Sequence, residues 1–121
     1  MMGQAMEAEE RILCRVEDIP EGKAKGFPAA PGGAIGLFAV RKDGQVRVYV
    51  NACPHVGLPL EPLPHRFLDP RGQVILCSVH GARFRIEDGQ CVTGPCIGEA
   101  LEAVPVRILD GQVVVPAKAG Q

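Results

Sequence analysis

An antiparallel all-β domain is predicted by three features of this 121-residue chain. Asp43-Gly44, Asp88-Gly89 and Asp110-Gly111 each separate two strand-like runs, the sequence pattern of hairpins. Glycine and proline are both abundant, 15 and 11 residues, so turns are many and long helices few. The apolar runs are short, and helix is expected only as isolated turns.

The elements follow in order. Residues 1–10 read as a tail. Arg11 to Val16, "RILCRV", alternates well enough to be a first strand, with Cys14 in the core. "EDIPEGKAKGFPAAPGG" is rich in charge and turn formers and reads as a loop. Ala34 to Val40 and Gln45 to Asn51 are strand-like and joined through Asp43-Gly44. Gln45, Arg47 and Tyr49 alternate with Val46, Val48 and Val50, so one face of that strand can be buried. The segment 58–73, "LPLEPLPHRFLDPRGQ", is Pro-rich and turn-like, with His65 read as a surface residue. Val74 to Cys77 is a short apolar strand. Ala82 to Ile86 and "QCVTG" flank the second Asp-Gly, and Phe84 is expected to pack in the core. "VTGPCIGEALEAVP" is loop-like with room for one helical turn. "VPVRIL" and "QVVVP" flank the third Asp-Gly. One domain over 11–116 results, with a short tail over 117–121.

Composition narrows the function. Formal net charge is −1, aromatics are 4% and tryptophan is absent, which disfavours phosphate-backbone binding and base stacking. No stretch reaches the apolar length of a membrane span, and the N-terminus lacks a signal-peptide pattern, so a cytoplasmic protein is expected. Cysteines there stay reduced, and five is an odd number for a disulfide framework. Cys91 and Cys96 are accordingly read as small buried packing residues rather than a redox pair. No nucleophile–base arrangement or phosphate-cradling loop stands out, so no catalytic residue is assigned.

The chemistry-bearing pattern is Cys53-Pro-His55 followed by Cys77-Ser-Val-His80, with twenty-one residues between His55 and Cys77. Each pair follows a predicted strand, and each loop then reaches a glycine, Gly57 or Gly81. Glycine permits close backbone approach to a bound group, whose sulfurs backbone N–H donors stabilise. Two thiolates and two imidazoles suit tetrahedral zinc or a [2Fe–2S] cluster with unlike irons. Zinc fingers usually group their ligands by type. Here each loop supplies one of each, which allows both cysteines to take one iron and both histidines the other.

On these residues, with "HVG" after the first pair, "HGARF" after the second and "CVTGPC" beyond, the chain resembles the Rieske iron–sulfur family over about Arg11 to Val115. The resemblance implies stacked antiparallel sheets with a two-loop cluster-binding tip. It implies Cys53 and Cys77 on the buried iron and His55 and His80 on the outer one, with the Gly-Pro loop folded over the cluster. Leu58 and Pro95 would cover it. Two ferric ions, two sulfides and two thiolates carry no net charge beside neutral histidines, so an electron adds more easily than to an all-cysteine cluster. Rieske centres span about −150 to +300 mV, against about −400 mV for plant-type ferredoxins.

Departures from the family place the chain within it. Rieske proteins of cytochrome bc complexes add a disulfide across the cluster, but Leu58 and Val79 stand at those positions. Ala82 replaces their serine after the second His-Gly. Fewer hydrogen bonds to sulfur lower the potential. The resemblance therefore implies a low-potential, ferredoxin-like carrier of single electrons from a flavoprotein reductase to an oxygenase or other oxidoreductase. The alternatives are the small subunit of a nitrite reductase-like enzyme and a zinc-binding interaction module.

Overall fold

The computed structural model describes residues 9–29, 35–54, 60, 65–77 and 81–119. Its strands are β1 (Glu10–Arg15), β2 (Lys23–Phe27), β3 (Leu37–Lys42), β4 (Gln45–Val50), β5 (Val74–Leu76), β6 (Arg83–Arg85), β7 (Cys91–Thr93), β8 (Ala103–Val104), β9 (Arg107–Leu109) and β10 (Gln112–Pro116). They form three antiparallel sheets, ordered β1-β10-β9, β2-β3-β4-β8 and β5-β6-β7. The helical content among the described residues is one short 3₁₀ turn, Val16–Asp18. No described helix is long and apolar enough to cross a membrane.

Two of the Asp-Gly pairs make the tight turns expected of them. Asp43 and Gly44 both take positive φ, 54° and 75°, as do Asp110 and Gly111, 51° and 76°. This twist matches that of the flanking strands. The β6–β7 connection is wider. Only Gly89 of its Asp-Gly is left-handed, and the Gly89 N–H donates to the Arg85 carbonyl at 2.8 Å. A β-carbon on Gly89 would stand 2.8 Å from the Tyr49 ring. The turn is therefore shaped by packing beneath it as well as by its own sequence.

The segment expected to be a loop before β3 contains a strand. β2 pairs along its length with β3, from Lys23–Arg41 to Phe27–Leu37. "KAKGF" lacks β-branched residues, so its local preference is weak, and the open edge of β3 overrides it. The helical turn allowed after β7 does not form. The described chain there runs through turns into β8, which pairs with Val48 and Tyr49 of β4.

β4 also buries more than one face. Along β3, Phe38 and Val40 enter one apolar cluster, while Leu37 and Ala39 enter another. Tyr49 joins the first cluster, and Val48 and Val50 join the second. The β2-β3-β4-β8 sheet is thus the middle layer. Val113 and Val115 of β10 fill one side, and Ile75 and Phe84 of β5 and β6 fill the other. Cys14 is half-buried and packs at the margin of the β10 side.

Candidate functional site

The first candidate loop leaves the middle sheet where β4 ends. The Asn51 N–H donates to the Gly36 carbonyl at 2.9 Å, holding the strand end in register. The Asn51 side chain reaches forward, and its Oδ1 accepts the Leu60 N–H at 2.9 Å. One asparagine thus ties the exit of β4 to the far end of the loop. Leu60 is fully buried, which fixes that far end in the core. Between these anchors Cys53 is fully buried.

The second loop leaves β5. The Cys77 N–H donates to the Ala82 carbonyl at 2.8 Å, and the Gly81 N–H donates back to the Cys77 carbonyl at 2.9 Å. Gly81 has φ +70°, which closes this narrow loop and returns the chain into β6. Cys77 is fully buried. β5 is steadied on its other side by the segment before it. The Leu76 N–H donates to the Phe67 carbonyl at 2.8 Å, the Asp69 N–H donates to the Val74 carbonyl at 3.0 Å, and Leu68 bridges Ile75. Asp69 Oδ1 accepts the Gln73 and Val74 N–H groups, which holds its carboxyl below the ordinary range.

Cys53 and Cys77, each just beyond the end of a strand of a different sheet, belong to one apolar cluster that also holds Ala82, Cys91 and Cys96. His55 and His80, together with Gly57, Leu58 and Val79, lie outside the described residues. Among the described residues no group of three or more histidine, cysteine or acidic side chains is placed to hold a metal. The described half of the donor set nevertheless fits an iron–sulfur cluster. It offers two soft sulfur donors, both fully buried, at the ends of two hydrogen-bonded loops.

A third segment packs against this pair. Gly94, φ +103°, presses its α-carbon against the second loop, and a β-carbon there would stand 2.7 Å from Ala82 Cα. Pro95 is exposed, while Cys96 turns inward and is fully buried. Burial, then its hydrogen bond to Cys91, pushes the Cys96 thiol up to about 12, and the nearby Cys91, Cys53 and Glu99 add in the same direction. The Gly-Pro loop is therefore in steric contact with the second candidate loop.

Phe84 is core, as expected. His65 is exposed with φ +67°, and its Nδ1 accepts the Gly26 N–H at 2.9 Å, pinning the Pro-rich segment to β2. Sequence reasoning passed over Asn51 and Phe67. Asn51 sits directly after an alternating strand, the position from which a short polar side chain bonds forward to backbone. Phe67 stacks on Phe38 at 4.3 Å, but nothing in a Pro-rich stretch marks it as core.

Comparison with known proteins supplies the family context. A family model described as Rieske [2Fe-2S] domain matches residues 9–116. The Sphingomonas yanoikuyae B1 ferredoxin is 27% identical, with TM-score 0.66, covering 88% of this chain and 97% of its own. The ferredoxin of carbazole 1,9a-dioxygenase from Nocardioides aromaticivorans IC177 is 20% identical, with TM-score 0.71, covering 92% of this chain and 100% of its own. A chain in a complex of reduced oxygenase and oxidized ferredoxin in carbazole 1,9a-dioxygenase is 23% identical, with TM-score 0.71, covering 92% of this chain and 95% of its own.

Proposed function

Because the chain belongs to the Rieske [2Fe-2S] domain family, we propose that it is a cytoplasmic electron carrier, passing single electrons from a flavoprotein reductase to an oxygenase. The family carries a Rieske-type [2Fe–2S] cluster. When bound, that cluster supplies a one-electron couple that mixed cysteine–histidine ligation raises above the all-cysteine range. Cys53 and Cys77 would hold it through sulfur, and His55 and His80 through imidazole nitrogen.

The observation that carries this reading is the burial of two cysteines, from loops that follow strands of two sheets, in one core cluster, within a family match that spans both loops. The chain's own residues then have separable tasks. Cys53 and Cys77 keep their donors dry. The hydrogen bonds at Asn51, Leu60 and Gly81 anchor the described ends of the two loops, which positions both cysteines. Ala82, where a hydroxyl would give one more donor, favours the low-potential branch. The ferredoxin-like fold, and the oxygenase present with ferredoxin in the solved complex, support an oxygenase as the electron acceptor.

The test is purification of the full chain with iron and sulfide analysis. Red-brown protein with two irons and two acid-labile sulfides is expected, with an electron paramagnetic resonance signal of a mixed-ligand cluster on reduction. Colourless protein holding one zinc and no labile sulfide would refute the reading.

A further inference from the structure

We propose that Cys91 and Cys96 form a dithiol–disulfide couple, oxidised through exchange with a small-molecule disulfide of the glutathione class. Their sulfurs stand 3.0 Å apart. Bond formation therefore needs a closure of only about 1 Å to reach the disulfide length near 2.0 Å. The backbone already holds the two residues face to face. The Cys91 N–H donates to the Glu99 carbonyl and the Glu99 N–H donates to the Cys96 carbonyl, each at 2.9 Å. Gly94 and Gly98, φ +103° and +98°, supply the reversals that fold the intervening loop back on itself. The Cys96 thiol donates to Cys91 Sγ, and the Cys91 thiol donates to the Thr93 carbonyl at 3.2 Å. Neither cysteine belongs to the four proposed cluster ligands, so cluster binding leaves this pair unassigned.

The order of steps follows from access. Cys96 is fully buried and Cys91 is 6% exposed, beside the exposed Val92 and Thr93. Cys91 sulfur attacks the small-molecule disulfide, forming a mixed disulfide and releasing one small thiol. Cys96 sulfur then attacks Cys91 sulfur, forming the protein disulfide and releasing the second small thiol. Two protein thiols are oxidised, one small disulfide is reduced to two thiols, and the protons pass to those leaving thiols. The product links β7 covalently to the loop that packs on Ala82. This is a modification adjoining the candidate cluster site, and it stands whether or not the cluster reading holds.

The experiment treats the purified full chain with oxidised glutathione, then alkylates remaining thiols under denaturing conditions and maps peptides by tandem mass spectrometry. A chain two hydrogens lighter is expected, with a Cys91–Cys96 link that dithiothreitol reverses. The linked form should exceed the glutathione adduct by about tenfold or more, because the second attack is intramolecular. Cys96→Ser should trap the adduct on Cys91. The wild-type map decides the matter even if that variant does not fold. Two free thiols at 91 and 96 after treatment, a persistent adduct in the wild-type chain, or a bridge from either residue to Cys14, Cys53 or Cys77 would overturn the proposal.

Discussion

Gly94→Ala tests the contact between the Gly-Pro loop and the second candidate loop. The φ of +103° is a region that residues with a side chain occupy at a cost of about 1–3 kcal/mol. The new methyl also has no room, since its carbon would lie 2.7 Å from Ala82 Cα and 3.1 Å from Ala82 Cβ. The first obstacle is backbone, so no rotamer change relieves it, and displacing it adds about 1–3 kcal/mol. Gly98 is an internal control. Its φ is +98°, but a methyl there meets nothing within 4 Å. Gly98→Ala should therefore carry the strain without the overlap. For a domain of this size each kcal/mol moves Tm by about 3–5 °C. At the middle of these ranges, about 4 kcal/mol against about 2 kcal/mol, Gly94→Ala is expected to melt about 16 °C below the parent and Gly98→Ala about 8 °C below, by far-ultraviolet circular dichroism. The visible circular dichroism of the cluster should change in Gly94→Ala alone, because the displaced backbone lies in the loop of Cys77. Equal melting temperatures and equal visible spectra for the two variants would refute the contact argument.

Other outcomes follow from single contacts. Tyr49 Oη donates to the Ile86 carbonyl at 2.6 Å in a buried setting, so Tyr49→Phe should cost about 1–3 kcal/mol in denaturant unfolding, with no change in the cluster spectrum. Tyr49 is the single tyrosine and there is no tryptophan, so its titration can be followed by ultraviolet difference absorbance. Burial pushes its phenol up to about 12 from the ordinary 10.0. That stability contribution is complete below pH 10 and is lost as pH rises through about 12, so ionisation near 10 in the folded chain would refute the assignment. Phe67→Ala removes a fully buried ring stacked on Phe38 and should cost about 3–5 kcal/mol, measured by chemical denaturation. His55→Cys should retain a cluster while lowering its midpoint by on the order of 100 mV or more, read by spectroelectrochemistry, and an unchanged midpoint would show that His55 is not a ligand.

The parts of the fold that were legible are those fixed locally. Asp43-Gly44 and Asp110-Gly111 specify tight turns through their own dihedral preferences, so the hairpins they join could be read directly. β2 could not, because "KAKGF" becomes a strand only through pairing with β3. The alternation of Gln45, Arg47 and Tyr49 with valines marks one face of β4 for burial, yet a second layer also covers Tyr49 on the other. Layer number is a tertiary property and leaves little mark on a six-residue strand. At the site, the Cys53 and Cys77 positions stood out through their spacing with histidines, and both are buried in one cluster. The anchors were less visible. Asn51 acts on Leu60 across nine positions, and Gly94 acts on Ala82 from the loop after β7. Neither relation has a sequence period.

The layering explains why the two proposed sulfur ligands are bound up with one part of the fold more than another. Both lie in the cluster that contains Phe38, Tyr49, Phe67 and Phe84, between the middle sheet and β5-β6-β7. The opposite cluster, built on Leu37, Val48, Val113 and Val115, holds neither of them. The β5-β6-β7 sheet has three-residue strands and little pairing of its own, whereas β3 pairs at six positions with β4. A group binding Cys53 and Cys77 together would join the strong sheet to the weak one at their common core. Its binding free energy would then act as cross-linking free energy for that half of the domain.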